Sequence, residues 1–393
     1  MTVVSSAAAL APAASRTDAQ ERRIRNALQM YRKPFQTAVC HVAASHERLA
    51  DLAVSFPALL FVIAVPHKDR DALSLRSAVI AGLPLKVLAK MAKLPMWLRK
   101  LPPHGFDGVI GALPTNNFIS AQLAHHVPVR KRDAEDWLRQ VSLATCWGTD
   151  DFALWIAKRP VAEREKLRDT ALCKLAMLAW FSSHPETRAG KLCKRHWHSK
   201  LDLKGAARRW SDWTPYINLE LFLHLVPSPP LLQQGQFGGF EFLHLGTTEL
   251  IAEEAARMGN CIMGYGKDIS QSGTELWSMR KNGTSVATIS IADDYNDLLA
   301  SITEIKGPGN SNVSRDVALV ARRWFQSHDI AAISPIAPPT RVDGRVKTWQ
   351  CLFKPYWIFM GRLPSWMQFA PEDCYLGGVY LYRKQRRRHR PRR

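Results

Sequence analysis

Cys261 is the residue best placed in this sequence for covalent chemistry. It follows a helix stop, Gly259-Asn260, and opens a second short helical stretch. A thiol at a helix N-terminus can be held toward its reactive thiolate form. Tyr265 lies four residues on, so it shares the face of Cys261. Arg280 and Glu304 fall on strand-like runs and can supply an anion clamp and a base. Lys306, Asn310 and Asn312 surround the Gly307-Pro308-Gly309 loop and are candidate ligand contacts. These residues define a cysteine-dependent enzyme as one function class. The competing reading makes Cys261 a small buried packing residue beside Ile262.

A second constellation suits phosphate. Residues 188–210 carry Lys191, Lys194, Arg195, Lys200, Lys204, Arg208 and Arg209, with Trp197 and Trp210 interleaved. Cations attract the backbone of a nucleic acid, and planar side chains can stack on exposed bases. The other reading is a solvated linker. Residues 383–393 are mostly basic and include Arg386, Arg387 and Arg388, either a nucleic-acid contact or a solubilising tail. Two further motifs fail on inspection. Cys193-x-x-His196-x-His198 lacks the second pair of ligands that a structural zinc site needs, so no metal is expected. Gly259 to Lys267 mimics a phosphate loop, but Asp268 stands where Ser or Thr belongs. No cofactor is expected.

The elements that must hold the first constellation are legible between residues 247 and 328. Leu250, Ile251, Glu254, Ala255 and Met258 repeat at helical spacing after a Thr247 or Thr248 cap. A second helix runs to about Gly273. The runs 275–280 and 285–291 flank Lys281-Asn282-Gly283-Thr284, and Asn-Gly is a strong hairpin signal. A third run covers 298–306. Val313, Val317, Val320, Ala321, Trp324 and Phe325 then mark an amphipathic helix capped by Asn312 or Ser314. The expectation is α-α-β-β-β-α, an antiparallel three-stranded meander covered by helices.

Within this block, Asn260-Cys261 followed by Tyr265, Ser278-x-Arg280, Thr288-Ile289-x-Ile291 and Ile305-Lys306-Gly307 with Asn310 resemble the PcfJ-like family. That family is named after a conjugative-plasmid protein and occurs on mobile genetic elements. Its pattern has a His-Cys pair, a Tyr four residues on, an Arg ending the first strand, and a Gly with a nearby Asn after the third. Cys261, Tyr265, Arg280, Gly307 and Asn310 match, and Asn260 stands at the histidine position. The resemblance implies a mobile-element protein and no particular reaction.

The whole chain reads as α+β. A largely helical N-terminal region precedes the small block, and an aromatic-rich C-terminal extension follows it. The expected divisions are a disordered leader (1–19), a helical region (20–187), a basic and aromatic linker (188–240), the PcfJ-like block (241–335), an extension packing on that block (336–382) and a basic disordered tail (383–393). Helices are expected at 22–30, 43–54, 73–80, 85–101, 118–124, 134–144, 152–159 and 163–182. Trp97, Trp137, Trp147, Trp155 and Trp180 lie in apolar stripes and read as core. The glycines at 235–239 read as a flexible entry, and 378–382 as a closing strand.

The chain has 393 residues, 46% of them hydrophobic, enough for more than one core. Its net charge of +20, from 54 basic against 34 acidic residues, favours phosphate-rich partners. Sequence-independent binding to DNA or RNA is the expected partnership. Residues 56–66 are the most apolar run, about half the length a spanning helix needs, so no membrane partner is expected. Seven scattered cysteines without a C-x-x-C fit reduced thiols and a cytoplasmic location.

Overall fold

The computed structural model describes residues 16–65, 71–134, 136–223, 230–293, 300–328, 342–362, 367, 376–379 and 381. The chain divides into two compact units, one within Met1–Asp169 and one within Thr170–Tyr382.

The first unit is helical. Its opening helix, Asp18–Gln29, carries the capping box of Thr17 and Gln20. Lys33–Ala44 and Glu47–Ser55 follow as two helices where the periodicity suggests one from residue 43. The apolar run forms the helix Pro57–Ala64, whose first seven residues are all buried. Tyr31 anchors it by donating its hydroxyl to the Pro57 carbonyl at 2.8 Å. The expected helix at 85–101 is two pieces, Leu85–Met91 after Pro84 and a 3-10 turn, Met96–Lys100, after Pro95. Trp97, Trp137, Trp147 and Trp155 are buried here, as is Trp180 in the second unit. No helix among the described residues is long and apolar enough to cross a membrane.

The second unit carries the sheet. Its longer helices are α1 (Asp169–Ser182), α2 (Leu203–Leu223), α3 (Thr248–Met258), α4 (Gly266–Ser272), α5 (Arg315–Gln326) and α6 (Val342–Met360), with a single turn at Arg188–Lys191. Its strands are β1 (Gly235–Phe237), β2 (Phe240–His244), β3 (Glu275–Lys281), β4 (Thr284–Asp293) and β5 (Ala300–Lys306). They form one antiparallel meander in sequence order. The expected three strands are present as β3 to β5, and the glycine-rich entry adds two more. Gly238 and Gly239, at φ +59° and +80°, close the β1–β2 hairpin. A Cβ on Gly238 would stand 2.9 Å from Val320 of α5, so the helix sits tight against that turn. Asn282 and Gly283, at φ +52° and +75°, close β3–β4 as their sequence requires.

The register sorts the sheet into two faces. Trp277 pairs with Ile289, which pairs with Ile305, and Phe242 pairs with Met279. These face α5, where Trp324 stacks on Phe242 at 4.1 Å and meets Trp277 edge-on at 5.1 Å. The other face is covered by α3 and the turn after it. One end of that face is apolar, with Leu276, Ile251, Ile262 and Ile269. The other end is polar.

The stretch expected as a linker contains α2, a helix of 21 residues with Trp210 and Trp213 fully buried. The described aromatics of α6 pack here, whereas the expected packing is on the sheet block. Tyr356 of α6 lies 5.3 Å from Trp180 and 5.6 Å from Phe181 of α1. The Gly377 carbonyl accepts from Lys174 at 2.9 Å and Trp210 at 3.0 Å. Of the expected closing strand, Gly378, Val379 and Leu381 are described and are not in a strand; Tyr380 and Tyr382 lie outside the described residues, as do residues 383–393.

Candidate functional site

The polar end of the sheet is built around a carboxylate. Glu254, fully buried on α3, accepts from Ser285 Oγ at 2.8 Å and from Thr288 Oγ1 at 3.4 Å. Arg280 sits 3.7 Å from the same carboxylate and also donates to Ser278 Oγ at 3.1 Å. Arg280, expected as an anion clamp, is thus paired with Glu254 on this face of the sheet. Ser278 pairs directly with Thr288, and the β3–β4 register shift at Met279/Arg280 sets Ser285 opposite Arg280 on the same face. Asn260 closes the network by donating Nδ2 to Thr288 Oγ1 at 2.9 Å. Its Oδ1 is buried and accepts no hydrogen bond among the described residues.

Cys261, Tyr265, Glu304 and Asn310 gather at the rim of this network. Gly259, at φ +60°, ends α3. Cys261 then precedes a 3-10 turn, Ile262–Gly264, and is exposed, so it is not the buried packing residue of the competing reading. Its thiol faces Asn310 Oδ1 at 3.9 Å. Asn310 is presented by the tight loop after β5, where Gly307 donates to the Ser311 carbonyl at 2.8 Å and Lys306 bridges to Asn312. Tyr265 donates to Glu304 Oε2 at 2.6 Å. Burial pushes the Tyr265 hydroxyl well above its ordinary value, helped by the hydrogen bond to Glu304 and by the charges of Glu304, Cys261 and Asp268. Lys306 stands beside Thr288 in the register, half-buried, and Asn312 is exposed.

The basic stretch is held by a different device. Cys193 is buried, its thiol 3.5 Å from Ser182 Oγ and donating to the Arg195 carbonyl at 3.6 Å. Burial pushes this thiol up, against the Ser182 hydrogen bond, the nearby charge of Arg209 and the Arg195 contact. Arg195 in turn pairs with Asp212 of α2 at 3.5 Å. The loop bearing Lys194 and Arg195 thus lies against the turn of α2 that bears Arg208 and Arg209. Lys191, Lys194, Arg195 and Arg208 are exposed, and Arg209 is half-buried. Arg188, by contrast, is tied to the buried Glu220, which also accepts from Thr248 at 2.8 Å. Trp210 is buried and cannot serve as a stacking platform. Arg386, Arg387 and Arg388 lie outside the described residues.

Glu254 and its hydroxyl partners are the functional-site residues the sequence does not flag. Glu254 falls on the stripe with Ile251, Ala255 and Met258, and only its position there hints at burial. Among the described residues, no group of three His, Cys, Asp or Glu is arranged to hold a metal ion. No family model matches the chain, and no curated protein or solved structure does either.

Proposed function

We propose that this protein binds nucleic acid through its phosphate backbone, without sequence preference, as a PcfJ-like accessory protein of a mobile genetic element acting in the cytoplasm. The observation that carries this reading is the gathering of Lys194, Arg195, Arg208 and Arg209 on the Cys193 loop and one turn of α2. The excess of basic residues over the whole chain supports it. The six described cysteines are free thiols, which suits a reducing compartment. The motif around Cys261, Tyr265, Arg280 and Asn310 supports the family resemblance.

The test is affinity for an oligonucleotide across a range of salt. Each phosphate neutralised releases counterions, so log K should fall linearly with log salt. Changing Lys194, Arg195, Arg208 and Arg209 together to Gln should reduce that slope by about two to three. Affinity that stays flat between low and physiological salt overturns the proposal.

A second reading rests on the rim of the polar network. The exposed Cys261 facing Asn310, the Tyr265–Glu304 pair and the open Asn260 Oδ1 favour cysteine chemistry on a small ligand. Cys261 would be the nucleophile, and Tyr265 with Glu304 would move the proton.

A further inference from the structure

The basic stretch leads into a cavity. Continuing along α2, Arg208, Asp212 and Tyr216 succeed one another at four-residue spacing and so share a face. Tyr216 opens onto a cavity of about 280 Å³, lined also by Leu192, Lys194, Thr248, Glu249, Ala252 and Glu253, with the Thr248 hydroxyl already donated to Glu220. That volume is small for a ligand site and suits one planar heterocycle better than a duplex.

The lining is divided by chemistry. Leu192, Ala252 and the half-buried ring of Tyr216 are its apolar part. Lys194 supplies a cation and belongs to the phosphate-facing loop. Glu253 is engaged by Arg257 at 2.8 Å. Glu249 is different: its exposed carboxylate, the exposed Lys194 ammonium and the Tyr216 hydroxyl make no hydrogen bond or ion pair among the described residues. One cavity therefore holds an unused cation, an unused double acceptor and an aromatic ring.

We propose that this cavity receives an unpaired guanine base from a nucleic-acid strand running along α2, and this rests on the nucleic-acid reading above. Lys194 takes the phosphate and Tyr216 stacks on the base. The two oxygens of Glu249 accept the two adjacent donors of guanine, N1–H and the N2 amine. Adenine and cytosine place a ring acceptor beside their one amine, which would face a carboxylate oxygen unfavourably. Uracil and thymine offer one N–H between two carbonyls. The protein would thus bind any strand by charge and prefer those with an accessible guanine.

The experiment uses the full chain and thymidine-rich single strands of about 12 nucleotides, differing at one central base: guanine, inosine, adenine or cytosine. Binding is followed by fluorescence anisotropy at fixed salt. Guanine should be preferred over adenine on the order of tenfold, with inosine, which lacks the N2 amine, in between. Glu249→Gln should abolish the preference without weakening the other strands, and Glu253→Gln should keep it. A fully paired duplex should show no effect of Glu249→Gln. Equal affinity for all four strands, or a guanine preference that survives Glu249→Gln, overturns the guanine site and leaves the backbone reading standing. No binding to any strand at low salt removes both.

Discussion

Glu254 and Arg280 face each other at 3.7 Å, one on a helix and one on a strand, with the carboxylate wholly shielded from water. A buried charge is tolerated only when its partners are in place, and here Ser285 and Thr288 complete the set. This network fastens α3 to the sheet and sets where Cys261 emerges.

Glu254→Ala should therefore be costly. It strands the Arg280 guanidinium and two hydroxyls, and loss of one partner of a buried pair costs about 3–5 kcal/mol. Urea unfolding checks this, and a double-mutant cycle with Arg280→Ala should show strong coupling. Additive losses would mean that the two residues do not act together.

Trp324→Ala tests the opposite face. Trp324 stacks on Phe242 and meets Trp277, and it is almost completely buried. Its truncation should cost about 3–5 kcal/mol. A loss below about 1 kcal/mol would indicate that α5 does not seal the sheet as described.

Tyr265 predicts an alkaline effect. Its folded-state ionisation is raised above that of the unfolded chain, so between the two values the folded state holds the extra proton. The stability it contributes is complete below about pH 10 and declines as pH rises beyond it. Tyr31 and Tyr356 are raised by burial in the same direction, so the wild-type curve alone cannot isolate Tyr265. Tyr265→Phe should lessen the alkaline loss, measured as denaturation midpoint against pH. An identical pH profile in the variant would sink the prediction.

Cysteine alkylation separates the thiols by position. Cys261 and Cys351 are exposed, whereas Cys173 and Cys193 are buried. Mass spectrometry of native protein treated with iodoacetamide should find the first two modified early and the last two only on unfolding. A Cys261 rate well above a free-thiol reference would favour the cysteine reading over the accessory role. Protection of Cys261 in the native protein would contradict its exposed position.

Much of the framework is written locally. Asn282-Gly283 specifies the β3–β4 turn because both positions need positive φ. Ser314 caps α5 through the Val317 amide, and the stripe of that helix meets the sheet as its spacing requires. The tryptophans of the helical region are core because each lies within an apolar face. The β1–β2 hairpin is less legible, since its glycines read equally as a flexible entry until Phe242 is seen to pair with Met279.

The sequence by itself determined the order of elements between residues 247 and 328, their apolar faces and the net positive charge, because those depend on residue types and on neighbours close along the chain. The tertiary structure decided which polar groups lose water. Glu254 is buried by hydroxyls about 30 residues away, Cys261 is exposed opposite Asn310, and Trp210 is sealed by Gly377. Periodicity shows which side of a helix turns inward. It is silent on which partner waits there, and the partner makes a buried carboxylate a clasp and an unpaired Glu249 a candidate reader of bases.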